Sequence, residues 1–227
     1  MSKKAQNEFI RNVKLAKPEV MEYYVPLNTD KDKHKFIKRV ERVVRGSMEY
    51  RDYISFLKEH VDLDKCIFFQ NVSNSKNSKK RISIELHHEP FTLYDIVRVV
   101  LDKAIKDGAV INDLMIADEV LKLHYENKVG LVPLSKTAHE IVHAENSNKL
   151  IVPLNMVYGN YSEFLEEYED VIDDDDDLLY KLAKKMDMTA NLTPESFDAI
   201  RMRFTYLDIE GVDDVEKMEL DNKIEIA

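Results

Sequence analysis

The chain has 227 residues, a formal net charge of −10 and 44% hydrophobic residues. This composition supports a core of one medium domain or two small domains, and the sequence has no apolar run of membrane-spanning length. The single cysteine, Cys66, excludes an intramolecular disulfide framework, and the opening MSKKAQNEF lacks an apolar signal core. We therefore expect a soluble cytoplasmic protein that does not contact a membrane.

Charge is distributed unevenly along the chain. Residues 1–81 carry 19 Lys/Arg against 11 Asp/Glu, whereas residues 151–227 carry 7 against 21, a net of −14. The overall acidity argues against a simple nucleic-acid coat, but a basic N-terminal third is compatible with DNA contact at one end. The acidic end repels a DNA backbone, so it could fold back over the basic loop at 76–81 or offer a docking face to a basic or targeting protein. Of the two, we expect the docking face.

The first half of the chain predicts helices followed by a hairpin. Apolar residues recur at helical spacing from Asp32 to about His60, and Gly46 predicts a break in this stretch. KCIFFQNV (65–72) has the composition of a strand, a polar loop follows it, and RISIELHH (81–88) alternates between apolar and polar residues. We predict that these two strands pair as a β-hairpin that ends at the His87-His88 doublet.

The second half predicts mainly helices, each preceded by a capping residue. Thr92 would cap a helix through about Lys106, Asn112 a helix over 113–125, and Ser135 the helix that carries His139 and His143. GLVPL is expected to be a short apolar segment that leads into that last helix. Residues 158–188 are expected to be helical around an aspartate run at 173–177, and a final helix is expected from Thr193.

Four of the seven histidines form two pairs that fit a metal site. His87 and His88 are adjacent on the predicted strand, and His139 and His143 are one helical turn apart. Imidazole is the commonest ligand of divalent transition metals, and three protein ligands leave a coordination position open. We predict that His87, His139 and His143 bind one divalent ion (Zn, Mg, Mn or Ni), while His88 acts as a general base that activates water for attack on a phosphodiester.

HHEP followed by PLSKTAHEIVH resembles the HNH (His-Me finger) endonucleases, especially their phage-borne members. The resemblance covers about residues 47–145. It implies an α+β fold with a ββα-metal core over 64–150, interrupted by inserted helices at 92–125. A basic helical arm (1–63) and an acidic, mainly helical region (151–227) would flank this core. The implied activity is metal-dependent hydrolysis of DNA in the host cytoplasm.

The sequence departs from the family pattern at the structural zinc knuckles. Their positions hold Cys66, Phe69, Ser135 and Ala138, and one thiolate cannot hold a tetrahedral zinc ion. Apolar packing must therefore support the core. The asparagine of the motif is replaced by Gly130, so we consider Asn127 as a supporting residue, together with Glu85 on the same strand face as His87. Phosphate contacts are expected from a basic loop: Lys76, Lys79, Lys80 and Arg81.

Two alternatives stay open. AHEIVHA also matches the His-Glu-x-x-His pattern of zinc peptidases, in which Glu140 would be the base and a downstream glutamate (Glu163, Glu166 or Glu167) the third ligand. That pattern leaves the His87-His88 doublet without a role. The other alternative is a catalytically silent structural or interaction protein, of viral origin, that keeps the HNH-like fold.

Overall fold

The computed structural model describes residues 27, 29–69, 83–144, 150–173 and 176–190. These residues form seven α-helices, a short 3-10 helix and a two-stranded sheet. In chain order the elements are α1 (Asp30–Gly46), α2 (Met48–His60), β1 (Ile84–His88), α3 (Leu93–Lys106), α4 (Asp113–Tyr125), β2 (Leu131–Ser135), α5 (Lys136–Val142), the 3-10 helix (Leu154–Met156), α6 (Tyr161–Glu167) and α7 (Asp177–Thr189).

The predicted break at Gly46 is confirmed, since α1 ends there and α2 begins two residues later. The hydroxyl of Ser47, between the two helices, accepts a hydrogen bond from the amide of Tyr50 and so caps α2. Such a cap satisfies an amide that has no partner within the helix and contributes about 1 kcal/mol. The apolar stripe of α1, from Phe36 to Val44, is buried against α3 and α4.

Helices α3 and α4 begin as the capping residues predict. Thr92 and Asp95 form a reciprocal capping box, and the Asn112 side chain accepts from the amide of Met115. α4 spans Asp113–Tyr125, the predicted range. With α1, these two helices supply most of the main core, which consists largely of valine, leucine and isoleucine side chains.

The predicted hairpin between 65–72 and 81–88 is wrong in the described residues. β1 instead pairs antiparallel with β2, which places His87 opposite Val132 and His88 opposite Leu131. No strand forms between residues 65 and 69, where the amide of Ile67 donates to the carbonyl oxygen of Pro133 on the other edge of β2. β2 is buried on both faces, so its sequence, LVPLS, lacks the alternation by which a strand is recognised. Residues 70–82 lie outside the described residues.

The sheet has helices on both of its faces. Residues that are partners across an antiparallel ladder point to the same face. On one face, Val132 and Leu134 pack against Ala138 and Val142 of α5. On the other face, Leu131 packs against two side chains of α2, Tyr53 and Leu57. His87 shares a face with Val132 and therefore faces α5, whereas His88 shares a face with Leu131 and therefore faces α2.

The predicted helical stretch at 158–188 forms two helices, α6 and α7, rather than one. Asp176, near the end of the aspartate run, caps α7 through the amide of Leu178 and also forms two hydrogen bonds with Arg98 of α3. A new helix therefore begins after Asp176. The helix predicted from Thr193 lies outside the described residues.

The fold is α+β, as predicted, and is mostly helical. Its main core draws side chains from all three predicted regions, including Phe36 of α1, Val97 of α3 and Leu178 of α7. The proposed boundaries at 63 and 150 stay a prediction. None of the helices described is long and apolar enough to cross a membrane.

Candidate metal centre

β1 and α5 bring the three predicted metal ligands together. α5 follows β2 without a loop, and the Ser135 hydroxyl caps it by accepting from the amide of Ala138. Because β2 pairs with β1, His139 lies over His87. Nε2 of His139 is 3.1 Å from Nδ1 of His87 and 3.1 Å from Nε2 of His143. One ligand atom from each histidine lies within 4.8 Å of the other two.

In two of these rings, the nitrogen that does not face another imidazole contacts a carboxylate. Oε2 of Glu85 is 2.6 Å from Nδ1 of His139, and Oε2 of Glu89 is 3.4 Å from Nε2 of His87. A carboxylate accepts from a proton-bearing nitrogen, so these contacts favour the tautomers whose lone pairs face each other. Carboxylate–histidine pairs of this kind orient metal ligands in proteins.

The resulting geometry fits a bound cation. Two neutral imidazoles whose lone pairs converge at 3.1 Å repel each other unless a positive charge lies between them. A tetrahedral zinc ion with Zn–N bonds of about 2.0–2.1 Å separates its ligand nitrogens by about 3.3 Å. The donor set, three imidazoles, suits zinc, nickel and other first-row ions.

Glu89 is the buried member of the carboxylate pair. It is 2% exposed and forms an ion pair with Lys185 of α7 as well as its contact with His87. Burial alone would raise the pKa of Glu89, but the contacts with His87 and Lys185 hold it below its ordinary value. Glu89 is therefore an ionised carboxylate inside the protein. It was not among the site residues predicted from the sequence.

His88, the predicted general base, lies on the opposite face of β1 and is 5% exposed. Its Nε2 is 3.0 Å from Nε2 of His124, and its ring stacks on Tyr50. Burial, followed by the neighbouring His124 and Arg45, lowers the pKa of His88 well below its ordinary value. The imidazole is consequently neutral at neutral pH.

His124 was not predicted to have a functional role. Its Nδ1 is 2.7 Å from the carbonyl oxygen of Val120, to which it donates, so its Nε2 is left to accept from His88. Burial lowers the pKa of His124 to about 4. Helical spacing places His124 on the buried stripe of α4 with Val120, and this spacing was the sequence signal for its burial. Spacing alone does not reveal that its partner lies on β1.

A cavity of about 450 Å³ joins these groups, and its lining includes His87, His88, His139 and His143. Arg45, at the end of α1, and Lys58, in α2, also line it. Nζ of Lys58 donates to the carbonyl oxygen of Ile84 at 2.5 Å, and burial lowers the pKa of this lysine. Neither cation was predicted. The predicted phosphate contacts, Lys76, Lys79, Lys80 and Arg81, lie outside the described residues.

Asn127 lies in the turn between α4 and β2, where its amide donates to the carbonyl oxygen of His124. It adopts a left-handed backbone conformation, with φ of 56°, and its side-chain oxygen accepts from the hydroxyls of Tyr158 and Tyr53 at 3.1 and 3.5 Å. These contacts hold the turn before β2. Asn127 thus supports the strand pair rather than lining the cavity.

The residues of the peptidase pattern are only partly assembled. Glu140 is exposed on α5. Among the downstream glutamates, Glu163 accepts from Asn160 and Glu167 pairs with Lys128. The third imidazole near His139 and His143 is His87.

The chain matches a family of bacteriophage proteins along most of its length. The family, described as bacteriophage G278-like virion protein, matches residues 2–214. No curated protein and no solved structure matches the chain. Since the family match covers almost the whole length, the chain belongs to the bacteriophage G278-like virion proteins.

Proposed function

We propose that this virion protein binds one divalent metal ion through His87, His139 and His143 and hydrolyses phosphodiester bonds in DNA. The observation that carries the proposal is the convergence of the ligand nitrogens, with carboxylates on the far side of two rings. Such an arrangement is costly to maintain without a cation and is typical of metal sites. Its three protein ligands leave a position for water or substrate.

The order of the elements supports a nuclease of the HNH type. One ligand comes from a strand and two come from a helix that packs on the same face of an antiparallel strand pair. This is the arrangement that a ββα-metal core requires, with α3 and α4 inserted between its two strands. The resemblance in sequence and the arrangement in space therefore support the same interpretation.

The cations of the cavity support an anionic substrate. Arg45 is half exposed, and Lys58 is held by a backbone carbonyl, so both positive groups lie near the histidines. A guanidinium beside a metal site can donate two parallel N–H···O hydrogen bonds to a phosphate group. We take DNA as the phosphodiester partner.

His88 would accept the proton of the attacking water. With Nε2–H donated to His124, the nitrogen left with a lone pair is Nδ1, and His124 fixes that tautomer. The low pKa of His88 keeps the ring neutral, as a base requires, although it also limits the rate of proton transfer. A bound divalent ion would supply stabilisation of the charge on the phosphoryl oxygens and the leaving 3′ oxygen.

The test is plasmid nicking by the full chain with Zn²⁺, Ni²⁺, Mn²⁺ or Mg²⁺, alongside metal content measured after dialysis. The wild type should retain about one ion and nick DNA. His139→Ala should lose both properties, because it removes the nitrogen between the other two ligands. His88→Ala should keep the metal and lose nicking by about 100-fold or more.

His34→Ala is the matched control, since His34 contacts Tyr94 and lies outside the metal cluster. It should behave as the wild type. A wild-type protein that retains metal but does not cleave DNA under any of these conditions would refute the catalytic part of the proposal. Zinc-dependent cleavage of casein that requires Glu140 but not His88 would select the peptidase instead.

A structural metal site is the second candidate, and the burial of His88 favours it. An ion at the three histidines would join β1 to α5 and stabilise the folded protein in the particle. Its expected signature is a metal-dependent rise in Tm, equal in the wild type and His88→Ala, without DNA cleavage. Membership in a virion protein family is compatible with both candidates.

A further inference from the structure

Glu89 and Lys185 connect the candidate metal centre to a helix far away in the sequence. The two oxygens of the Glu89 carboxylate have separate partners, His87 at Oε2 and Lys185 of α7 at Oε1. The Glu89 carboxylate is buried, so water competes little for its oxygens, and the Lys185 side chain that reaches it is 31% exposed. A buried carboxylate held at both oxygens has little freedom to rotate.

We propose that Glu89 is a positioning residue for His87 and that Lys185 anchors it, so that metal affinity depends on the docking of α7. The proposal rests on the metal site of the proposed function, but not on its catalytic activity. His87 has two ring nitrogens, one facing His139 and the other facing Glu89. Fixing the carboxylate therefore fixes the direction of the nitrogen that would bind the metal.

The other carboxylate of the site differs from Glu89 in its surroundings. Glu85 contacts His139 at 2.6 Å, but its side chain is 41% exposed, so water competes for its oxygens. Glu89 has no such competition and has a cation from another helix. Of the two carboxylates, Glu89 is thus expected to contribute more to metal affinity.

α7 has other attachments that allow the Lys185 contact to be tested alone. Lys181 pairs with Asp95, Asp176 binds Arg98, and Leu178 is fully buried in the main core. Removing the Lys185 ammonium should therefore leave the helix docked. Lys184, its exposed neighbour, provides a control with the same change of charge.

The experiment measures Co²⁺ and Zn²⁺ affinity of the full chain by calorimetry, with the visible absorption of bound Co²⁺ as a second readout. Glu89→Gln should weaken binding by about 10–100-fold. Lys185→Met should weaken it by a smaller factor and alter the Co²⁺ spectrum, whereas Lys184→Met should match the wild type. Lys185→Arg keeps the positive charge and should bind metal with wild-type affinity. The double variant Glu89→Gln/Lys185→Met should bind no more weakly than Glu89→Gln.

Wild-type affinity and spectrum in Lys185→Met would overturn the anchoring role. An equal loss in Lys184→Met would also overturn it, because that result would assign the effect to net charge. A wild type that binds metal but does not cleave DNA would refute only the catalytic proposal, and the comparison of affinities would stand. A wild type that binds no metal would refute both.

Discussion

At the scale of single residues, two neighbouring histidines of one strand have different environments. His87 faces other imidazoles and a carboxylate, whereas His88 is enclosed by Tyr50 and His124. The alternation of side chains along a strand explains the difference. One residue is thereby suited to bind a cation, and the other is held neutral.

Acid should destabilise the protein through His124. Its pKa is about 4 in the folded state and about 6.5 when unfolded, so the unfolded chain binds more protons between these values. The free energy of unfolding should therefore fall as pH is lowered from 7 to 5, by about 2 kcal/mol from this residue. Urea unfolding at the two pH values, with a chelator present, measures the change.

His124→Gln should reduce this pH dependence, because glutamine can accept from His88 but does not titrate. His34→Gln, at an exposed histidine, should leave the dependence unchanged. The explanation fails if His124→Gln loses stability between pH 7 and pH 5 as steeply as the wild type does.

At the scale of elements, the strand pair depends on a close approach of two backbones. The amide of Glu89 donates to the carbonyl oxygen of Gly130, which extends the ladder past the end of both strands. A Cβ atom at Gly130 would lie 1.9 Å from the carbonyl oxygen of Glu89 and 2.8 Å from Val157. The packing of the two backbones thus requires a glycine at position 130.

Gly130→Ala should lower the free energy of unfolding by about 2–3 kcal/mol, since the clash is with backbone that cannot move cheaply. Gly46→Ala is the matched substitution, because nothing lies within 4 Å of a Cβ atom there and the residue ends a helix. It should be neutral or stabilise by up to about 1 kcal/mol. Denaturant unfolding compares them, and equal stability of the two variants would contradict this account.

At the scale of the whole molecule, α7 is part of the folded core rather than an appended acidic tail. Leu178 is fully buried, and ion pairs join α7 to α3 through Asp176 and Lys181. The acidic region was expected to dock a partner. That docking stays a prediction, and in the described residues part of the acidic charge is neutralised within the molecule.

Two shortened chains test this integration, one ending at Ile172 and one ending at Ala190. The shorter chain loses the burial of Leu178, about 1.5–3 kcal/mol, and the ion pairs of α7. It should unfold at a clearly lower urea concentration and, without Lys185, bind metal more weakly. If the two chains are equally stable, α7 does not belong to the core.

Local chemistry in the sequence determined the helices. Capping residues such as Thr92, Asn112 and Ser135 satisfy amides within three positions, so helix starts can be read from neighbours alone. The pairing of histidines at ligand spacing likewise indicates His87, His139 and His143 as a group. These signals are short in range, and for that reason they are visible in one sequence.

Only the tertiary structure decided which strand pairs with β1, because β2 is buried on both faces and has no alternating pattern. The contacts His88–His124 and Glu89–Lys185 join residues 36 and 96 positions apart. No local rule relates such positions, since their proximity follows from the packing of α4 and α7 around the sheet. The grouping of the three histidines could thus be predicted from the sequence, whereas the groups that orient them could not.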